Sequence, residues 1–181
     1  MPTPPPITTG RLQMGLLLAP TIESLLAGDL DAASRAQGVA ITDGFLTSLD
    51  DGFLRGQLRQ ARGPVTERDW IGRVMVRTAD GVVVGHCGFH GHPDRVGRAE
   101  VGYTVLTPFR RRGYATEAVA GLIGWAAEQG HPVVVASIAP DNVASLAVVR
   151  ALGFRQVGTE ETAEGDQWLF SHDGAGPAAT A

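Results

Sequence analysis

Hydrophobic positions alternate near the start of the chain and then change period. Within residues 9–19, Leu12, Met14, Leu16 and Leu18 fall on every second position, which predicts a first strand. Pro20 and Thr21 follow, and Ile22, Leu25, Leu26 and Leu30 recur at helical spacing. Phe45, Leu46, Leu49, Phe53, Leu54 and Leu58 have spacings near three and four and predict a second amphipathic helical stretch. Residues 62–69 are polar and contain Gly63-Pro64, so a loop is expected there.

Residues 70–77 and 82–89 predict two strands joined at Asp80-Gly81, a dipeptide suited to a tight hairpin because it tolerates positive φ. Residues 91–97 make the next turn and residues 98–106 a further strand. After Pro108, the side chains of Ala115, Ala118, Val119, Leu122, Ile123 and Ala126 share one helical face. Residues 133–138 are a short unbroken apolar run, which predicts a strand buried on both faces. Asp141 or Asn142 caps a helix that ends at Gly153, and strands near residues 154–159 and 166–171 close the chain. The order predicts an α+β fold: one layer of mixed, mostly antiparallel sheet flanked by helices. A single domain is expected over residues 9–171, between a flexible Pro-rich start (residues 1–8) and a flexible tail (residues 172–181).

Composition narrows the chemistry. A chain of 181 residues suffices for one well-buried core. The net charge of −4 disfavours a general nucleic-acid surface, and no apolar run is long enough to span a bilayer. All 15 Lys-plus-Arg residues are arginine, which excludes a P-loop lysine, a Schiff-base lysine and a lysine base. Cys87 is the single cysteine, so neither an intrachain disulfide nor a cysteine-rich zinc site is available, and a cytoplasmic setting is expected.

The densest chemical signal is Arg110-Arg111-Arg112-Gly113-Tyr114-Ala115-Thr116, where a strand passes Pro108 and enters a helix. Backbone N–H groups at a helix entry lack intrahelical partners, and the helix dipole adds positive potential. Phosphate oxygens suit such a site, and Gly113 permits close backbone approach. The alternative is a solvated arginine cluster before an ordinary helix.

Three segments, in order, resemble the GCN5-related N-acetyltransferase (GNAT) superfamily, and within it the branch of ribosomal-protein alanine acetyltransferases (RimJ/RimL-like). They are Ala99-Glu100-Val101-Gly102-Tyr103, then Pro108 through Ala118 with the arginine turn, then Asn142-Val143-Ala144-Ser145 with Leu152-Gly153-Phe154. The resemblance implies a sheet splayed between the strands ending near Leu106 and Ile138, with the pantetheine arm of acetyl-CoA in the gap. It implies backbone contacts near Thr104 and Leu106, and a pyrophosphate held by amides of Arg111, Arg112, Gly113, Tyr114, Ala115 and Thr116. Asn142 and Ser145 would line the thioester end. The implied activity is direct acetyl transfer from acetyl-CoA to a primary amine, either a protein N-terminus or a small molecule, and a homodimer is compatible with it. A non-catalytic acyl-CoA-binding module and a relative binding neither ligand are the competing expectations.

For catalysis, Glu100 matches an acidic position of this branch and would act as base through a water. Its alternative is a surface carboxylate paired with Arg98 or another arginine. Ser145 is the candidate acid, or donor to the cofactor sulfur, because Val149 stands where many relatives carry a tyrosine. Tyr103 is expected mainly to pack. His86, His90 and His92 share strand parity, but Asp94 is the one nearby acid in this turn, so no metal is expected and the alternative is that they border the acceptor pocket. Cys87 should point to the opposite face as a small buried residue.

Overall fold

The computed structural model describes residues 4–163 and 165–173. Ile7–Thr8 forms β1, so the expected loose start already pairs with β2, Leu12–Leu16. After β2 come α1 Ala19–Leu26, α2 Leu30–Gln37, α3 Asp43–Leu46 and α4 Asp51–Ala61. The helical stretch expected around Phe45 to Leu58 is divided because two caps compete for it. Thr42 Oγ1 accepts from Phe45 N–H, and Asp50 Oδ1 accepts from Phe53 N–H, so a second helix begins. The expected loop at residues 62–69 contains a single turn, α5, Val65–Arg68.

Next come β3 Gly72–Arg77, β4 Val83–Phe89 and β5 Arg98–Val105, antiparallel in sequence order. The β3–β4 turn is wider than a two-residue hairpin: Arg77 N–H donates to Val82 O at 2.8 Å, and the Arg77 side chain pairs with Asp80. A short 3-10 turn over Thr107–Phe109 leads to α6, Tyr114–Glu128. The remaining elements are β6 Val133–Ile138, α7 Val143–Ala151, β7 Arg155–Thr162 and β8 Gly165–His172. The spatial order is β1-β2-β3-β4-β5-β6-β8-β7, an eight-stranded α+β sheet in which β5 and β6 are the parallel pair.

Two apolar clusters hold the layers together. On one face, Ala118, Val119, Leu122, Ile123 and Ala126 of α6 pack with Met14, Met75, Cys87, Val101, Val134 and Ala136. Leu146 and Val149 of α7 join the same cluster. On the other face, Ile22, Leu25, Ala33, Phe45 and Leu54 of the early helices cover Val74, Val83 and Leu106. Burial of such side chains contributes on the order of 2 kcal/mol each and fixes the sheet between its helices.

The early helices reach only the β2–β4 half of their face. That explains a departure from the expected doubly buried β6. Val134, Ala136 and Ile138 are buried, but Val133 and Val135 are half-buried and Ser137 is exposed. The uncovered side of β6 faces a cavity.

Candidate active site

β5 and β6 pair only through Arg98–Val133, Ala99–Val134 and Glu100–Val135. Beyond Glu100 they part, and residues 101–105 keep pairing with β4 alone. The sheet is therefore splayed where the sequence resemblance implies. A cleft of about 520 Å³ lies against this gap, bordered by β5, the arginine turn and α7. Tyr103, Thr104, Arg111, Gly113, Tyr114, Ala115, Thr116, Asn142 and Ser145 all line it.

At its wide end the backbone is shaped for an anion. Arg111 has φ 58° and Gly113 φ 81°, so two left-handed residues bend the chain just before α6. Arg111 alone among the described non-glycine residues has positive φ, which marks a conformation held by its surroundings. The helical ladder starts with Glu117 N–H on Gly113 O at 3.0 Å. Among the described residues, none of the amides of residues 111–116 donates to a protein acceptor. These amides and the helix dipole meet the oxygen-rich chemistry of a pyrophosphate.

The turn is braced from the N-terminal strands. Arg11 Nε donates to Glu117 Oε2 at 2.7 Å, and Arg11 Nη1 donates to Arg112 O at 3.0 Å. Arg11 N–H and Thr9 Oγ1 both donate to Glu117 Oε1 at 2.6 Å. Partial burial raises the Glu117 carboxyl, but the hydrogen bonds from Thr9 and Arg11 outweigh it and hold it below the usual carboxylate range. The Arg11 guanidinium also lies 4.8 Å above the Tyr114 ring. Tyr114 is thus a buried anchor by its side chain and faces the cleft by its backbone. Sequence reasoning missed Arg11 because the pair is separated by 106 positions.

Not every expected contact is grouped there. Leu106 N–H donates to Val84 O at 2.9 Å, and Leu106 is buried toward the early helices. The geometry leaves Thr104, rather than Leu106, on the cleft wall. Arg112 is exposed and does not line the cleft, its carbonyl accepting from Arg11, while Arg110 Nε folds back onto Val105 O at 3.0 Å.

At the narrow end, Asn142 Oδ1 accepts from Ser145 N–H at 3.0 Å and caps α7, which settles the choice between Asp141 and Asn142 as cap. Tyr103 reaches across the splay, and its hydroxyl donates to Ser145 O at 3.3 Å. Burial raises the Tyr103 phenol above its ordinary value, so it stays protonated. This is more than the packing role expected of it. Val149 is fully buried in the core and offers no group to the cleft.

Glu100 lies on the opposite side of β5, in a cavity of about 320 Å³ shared with His90, Asp94, Arg98, Ser137 and Glu160. It is not paired with Arg98, whose Nε bonds Asp94 Oδ2 at 2.7 Å. Instead Ser137 Oγ donates to Glu100 Oε1 at 2.9 Å, and His90 Nδ1 stands 3.6 Å from the same oxygen. His90 foremost, with Ser137 assisting, keeps the Glu100 carboxyl below its usual range despite burial. A second cavity of about 190 Å³ adjoins it and is lined by Ser48, Asp50, His86, His90, Gly102, Tyr103 and Thr104. Tyr103 and Thr104 therefore border both the cleft and this inner cavity.

The three expected histidines separate. His86 packs between Phe45 and Phe53 with Nε2 at 3.2 Å from Ser48 O, and burial lowers its pKa. His92 turns to the Trp70 and His131 rings. Among the described residues, no three His, Cys, Asp or Glu side chains are grouped to hold a metal ion. Cys87 is buried on the α6 side and burial pushes its thiol up to about 12. No helix among the described residues is long and apolar enough to cross a membrane.

Comparison with known proteins agrees with this geometry. The acetyltransferase (GNAT) domain family matches residues 47–155. YjdG of Bacillus subtilis (strain 168), described as an uncharacterized N-acetyltransferase, is 32% identical over 98 residues, covering 54% of this chain and 57% of that protein. The chain thus aligns with little more than half the length of this curated relative. The ribosomal-protein-S5-alanine acetyltransferase of Vibrio fischeri shares the fold with a TM-score of 0.63 at 20% identity, over 93% of this chain and 96% of that one. The microcin C7 self-immunity acetyltransferase MccE, solved with acetyl-CoA and AMP, shares it with a TM-score of 0.64 at 17% identity, over 91% and 93%. With the family match spanning the splayed strands, the arginine turn and α7, the chain belongs to the GNAT acetyltransferase family.

Proposed function

We propose that this protein is an acetyl-CoA-dependent N-acetyltransferase that moves an acetyl group directly to a primary amine. The observation that carries the reading is the continuity of two chemically different sites through one gap. The arginine turn opens on one side of β5 and the carboxylate cavity lies on the other; Tyr103 and Thr104 line both the cleft and the inner cavity, and His90 joins that inner cavity to the carboxylate cavity.

The amides of residues 111–116 and the guanidinium of Arg111 suit the cofactor pyrophosphate, and the Thr104 backbone and the Asn142–Ser145 turn suit the arm and its thioester. Acetyl-CoA supplies an activated acyl carbonyl with a thiolate leaving group. Deprotonation of the incoming ammonium falls to the Glu100 side of the gap. We assign donation to the departing sulfur to the Tyr103 and Ser145 hydroxyls, because both residues line the cleft. No nucleophilic side chain is needed, and the buried, protonated Cys87 is unsuited to be one.

An amine acceptor also suits the charge of the outer cavity. Glu100 and Glu160 line it, while its lining arginine, Arg98, is neutralised by Asp94. A cationic amine gains from that field, whether it belongs to a protein N-terminus or a small molecule. The free, buried Cys87 thiol fits a reducing cytoplasm.

The test is release of free thiol from acetyl-CoA in the presence of a short alanyl peptide, a polyamine and an aminoglycoside. Acceptor-dependent release is expected. Tight acetyl-CoA binding with no release from any acceptor would identify a binding module instead.

A further inference from the structure

His90 stands at the junction of the two cavities on the acceptor side, and it lines both. Its backbone is fixed on each side: His90 N–H donates to Glu100 O at 2.9 Å, and Gln60 Nε2 donates to His90 O at 2.9 Å. The Nε2 edge of the ring stands over Gly102. A β-carbon built on Gly102 would fall 2.5 Å from His90 Nε2, so a glycine at this strand position is what lets the imidazole occupy the junction. Gly102 directly precedes Tyr103, whose hydroxyl marks the splay. His90 Nδ1 faces Glu100 Oε1 at 3.6 Å, and that oxygen is itself fixed by Ser137. The side chain is 53% exposed, so it can exchange protons with solvent.

Resting on the acyl-transfer reading above, we infer that His90 is the catalytic base, and that Glu100 is a positioning residue that orients its ring. The proton leaves the acceptor ammonium for His90 Nε2, giving a neutral amine and an imidazolium beside the Glu100 carboxylate. The amine nitrogen then forms its bond to the acyl carbon as the carbon–sulfur bond breaks. Its second proton is balanced by the proton gained at the departing sulfur, and His90 returns the first proton to solvent. A carboxylate held below its usual range is a poor acceptor for an ammonium proton near neutrality, whereas an imidazole is suited to that work. The other charged or titratable groups around this junction are His86, Cys87, Asp50, Tyr103, His92, Glu160 and the Asp94–Arg98 pair.

The experiment measures kcat/KM from pH 5.5 to 9 for wild-type protein, His90→Gln, Glu100→Gln and Gly102→Ala. The acceptor is whichever of the alanyl peptide, polyamine or aminoglycoside supports the fastest thiol release. For His90→Gln, a fall of roughly 100-fold at pH 7 is expected. Acetyl-CoA affinity should be unchanged, and activity should partly recover with added imidazole or at high pH. Gly102→Ala should lose activity in the same direction by displacing the ring, and Glu100→Gln should lose less than His90→Gln. Wild-type-like kcat/KM and pH profile in His90→Gln would overturn the inference while leaving acyl transfer intact. Absence of thiol release by the wild type with every acceptor would overturn the acyl-transfer reading and this inference together.

Discussion

Arg11 and Glu117 are joined by a 2.7 Å ion pair across 106 positions of sequence, and the same arginine holds the carbonyl of Arg112. The link ties the β1–β2 turn to the first turn of α6. It holds the backbone immediately around the amides that face the cleft, so a residue far from the motif sets the shape of the motif.

Removing Glu117 therefore acts on binding as well as on stability. Glu117→Ala deletes acceptors for Thr9 Oγ1, Arg11 N–H and Arg11 Nε. Because Arg11 is half exposed, the stability loss is expected to be modest, about 1–2 kcal/mol. Acetyl-CoA affinity should fall roughly tenfold, since one charge-stabilised geometry of the turn is lost. Thermal denaturation and calorimetric titration measure the two effects. A stability loss with unchanged affinity would show that the brace does not shape the site.

The same pair sets an acid limit. The folded Glu117 carboxyl is below its unfolded value, so its contribution is fully present above the ordinary glutamate range near pH 4.3. It is lost as pH falls through the lower folded value. Stability should thus be insensitive to Glu117 between pH 6 and 8 and should decline below about pH 4. In Glu117→Gln the acid decline should be shallower, measured as the change of melting temperature from pH 6 to pH 3.5. An equal decline in both proteins would contradict this.

Tyr103 and Ser145 line the cleft, and the proposed reaction assigns their hydroxyls, rather than a helix tyrosine, to the departing sulfur. Tyr103→Phe and Ser145→Ala should each lower kcat by about 10- to 100-fold while leaving the KM for acetyl-CoA within a few-fold. The double variant should fall by less than the product of the two, because Tyr103 is hydrogen-bonded to the Ser145 backbone. Full activity in both single variants would remove these groups from the proton route.

Arg73 offers a stability test away from the site. It is 1% exposed, donates to Met14 O and Asp69 O, and stacks 5.0 Å from the Trp125 ring. Desolvation lowers its pKa to about 10, which still leaves it charged at neutral pH. Arg73→Ala should cost about 3 kcal/mol by leaving carbonyls and a cavity behind. Chemical denaturation checks it, and a change below 1 kcal/mol would contradict the packing account.

What was legible in the sequence was encoded over short distances. The helical face of α6, a capped start of α7 at Asp141 or Asn142 and the glycine of the arginine turn each depend on residues within a few positions, and they appear where the pattern puts them. The division between α3 and α4 was hidden because apolar spacing ran through it while the deciding caps, Thr42 and Asp50, are individually ordinary residues. The open side of β6 was hidden for a different reason: an apolar run does not reveal that the covering helices stop at β4. Of the site, the turn, Glu100 and Ser145 were apparent as residue types. Arg11, the use of the Leu106 amide by Val84, and the seating of His90 on Gly102 are products of strand register and long-range packing. The nearest sequence signal for the last was a glycine two positions after Glu100.

A turn before α6 that cradles the acetyl-CoA pyrophosphate must bind it less tightly in Gly113→Glu, and calorimetric titration of acetyl-CoA into wild type and variant measures the difference. Gly113 holds φ 81° at the mouth of the cleft, and a β-carbon there would stand 3.3 Å from Arg11 Nη2. A carboxylate at this point would face the same amides and repel phosphate. The expected result is measurable wild-type binding and at least a roughly 100-fold loss in the variant, with helical content retained by circular dichroism. Equal affinity in a folded Gly113→Glu protein would contradict such a cradle.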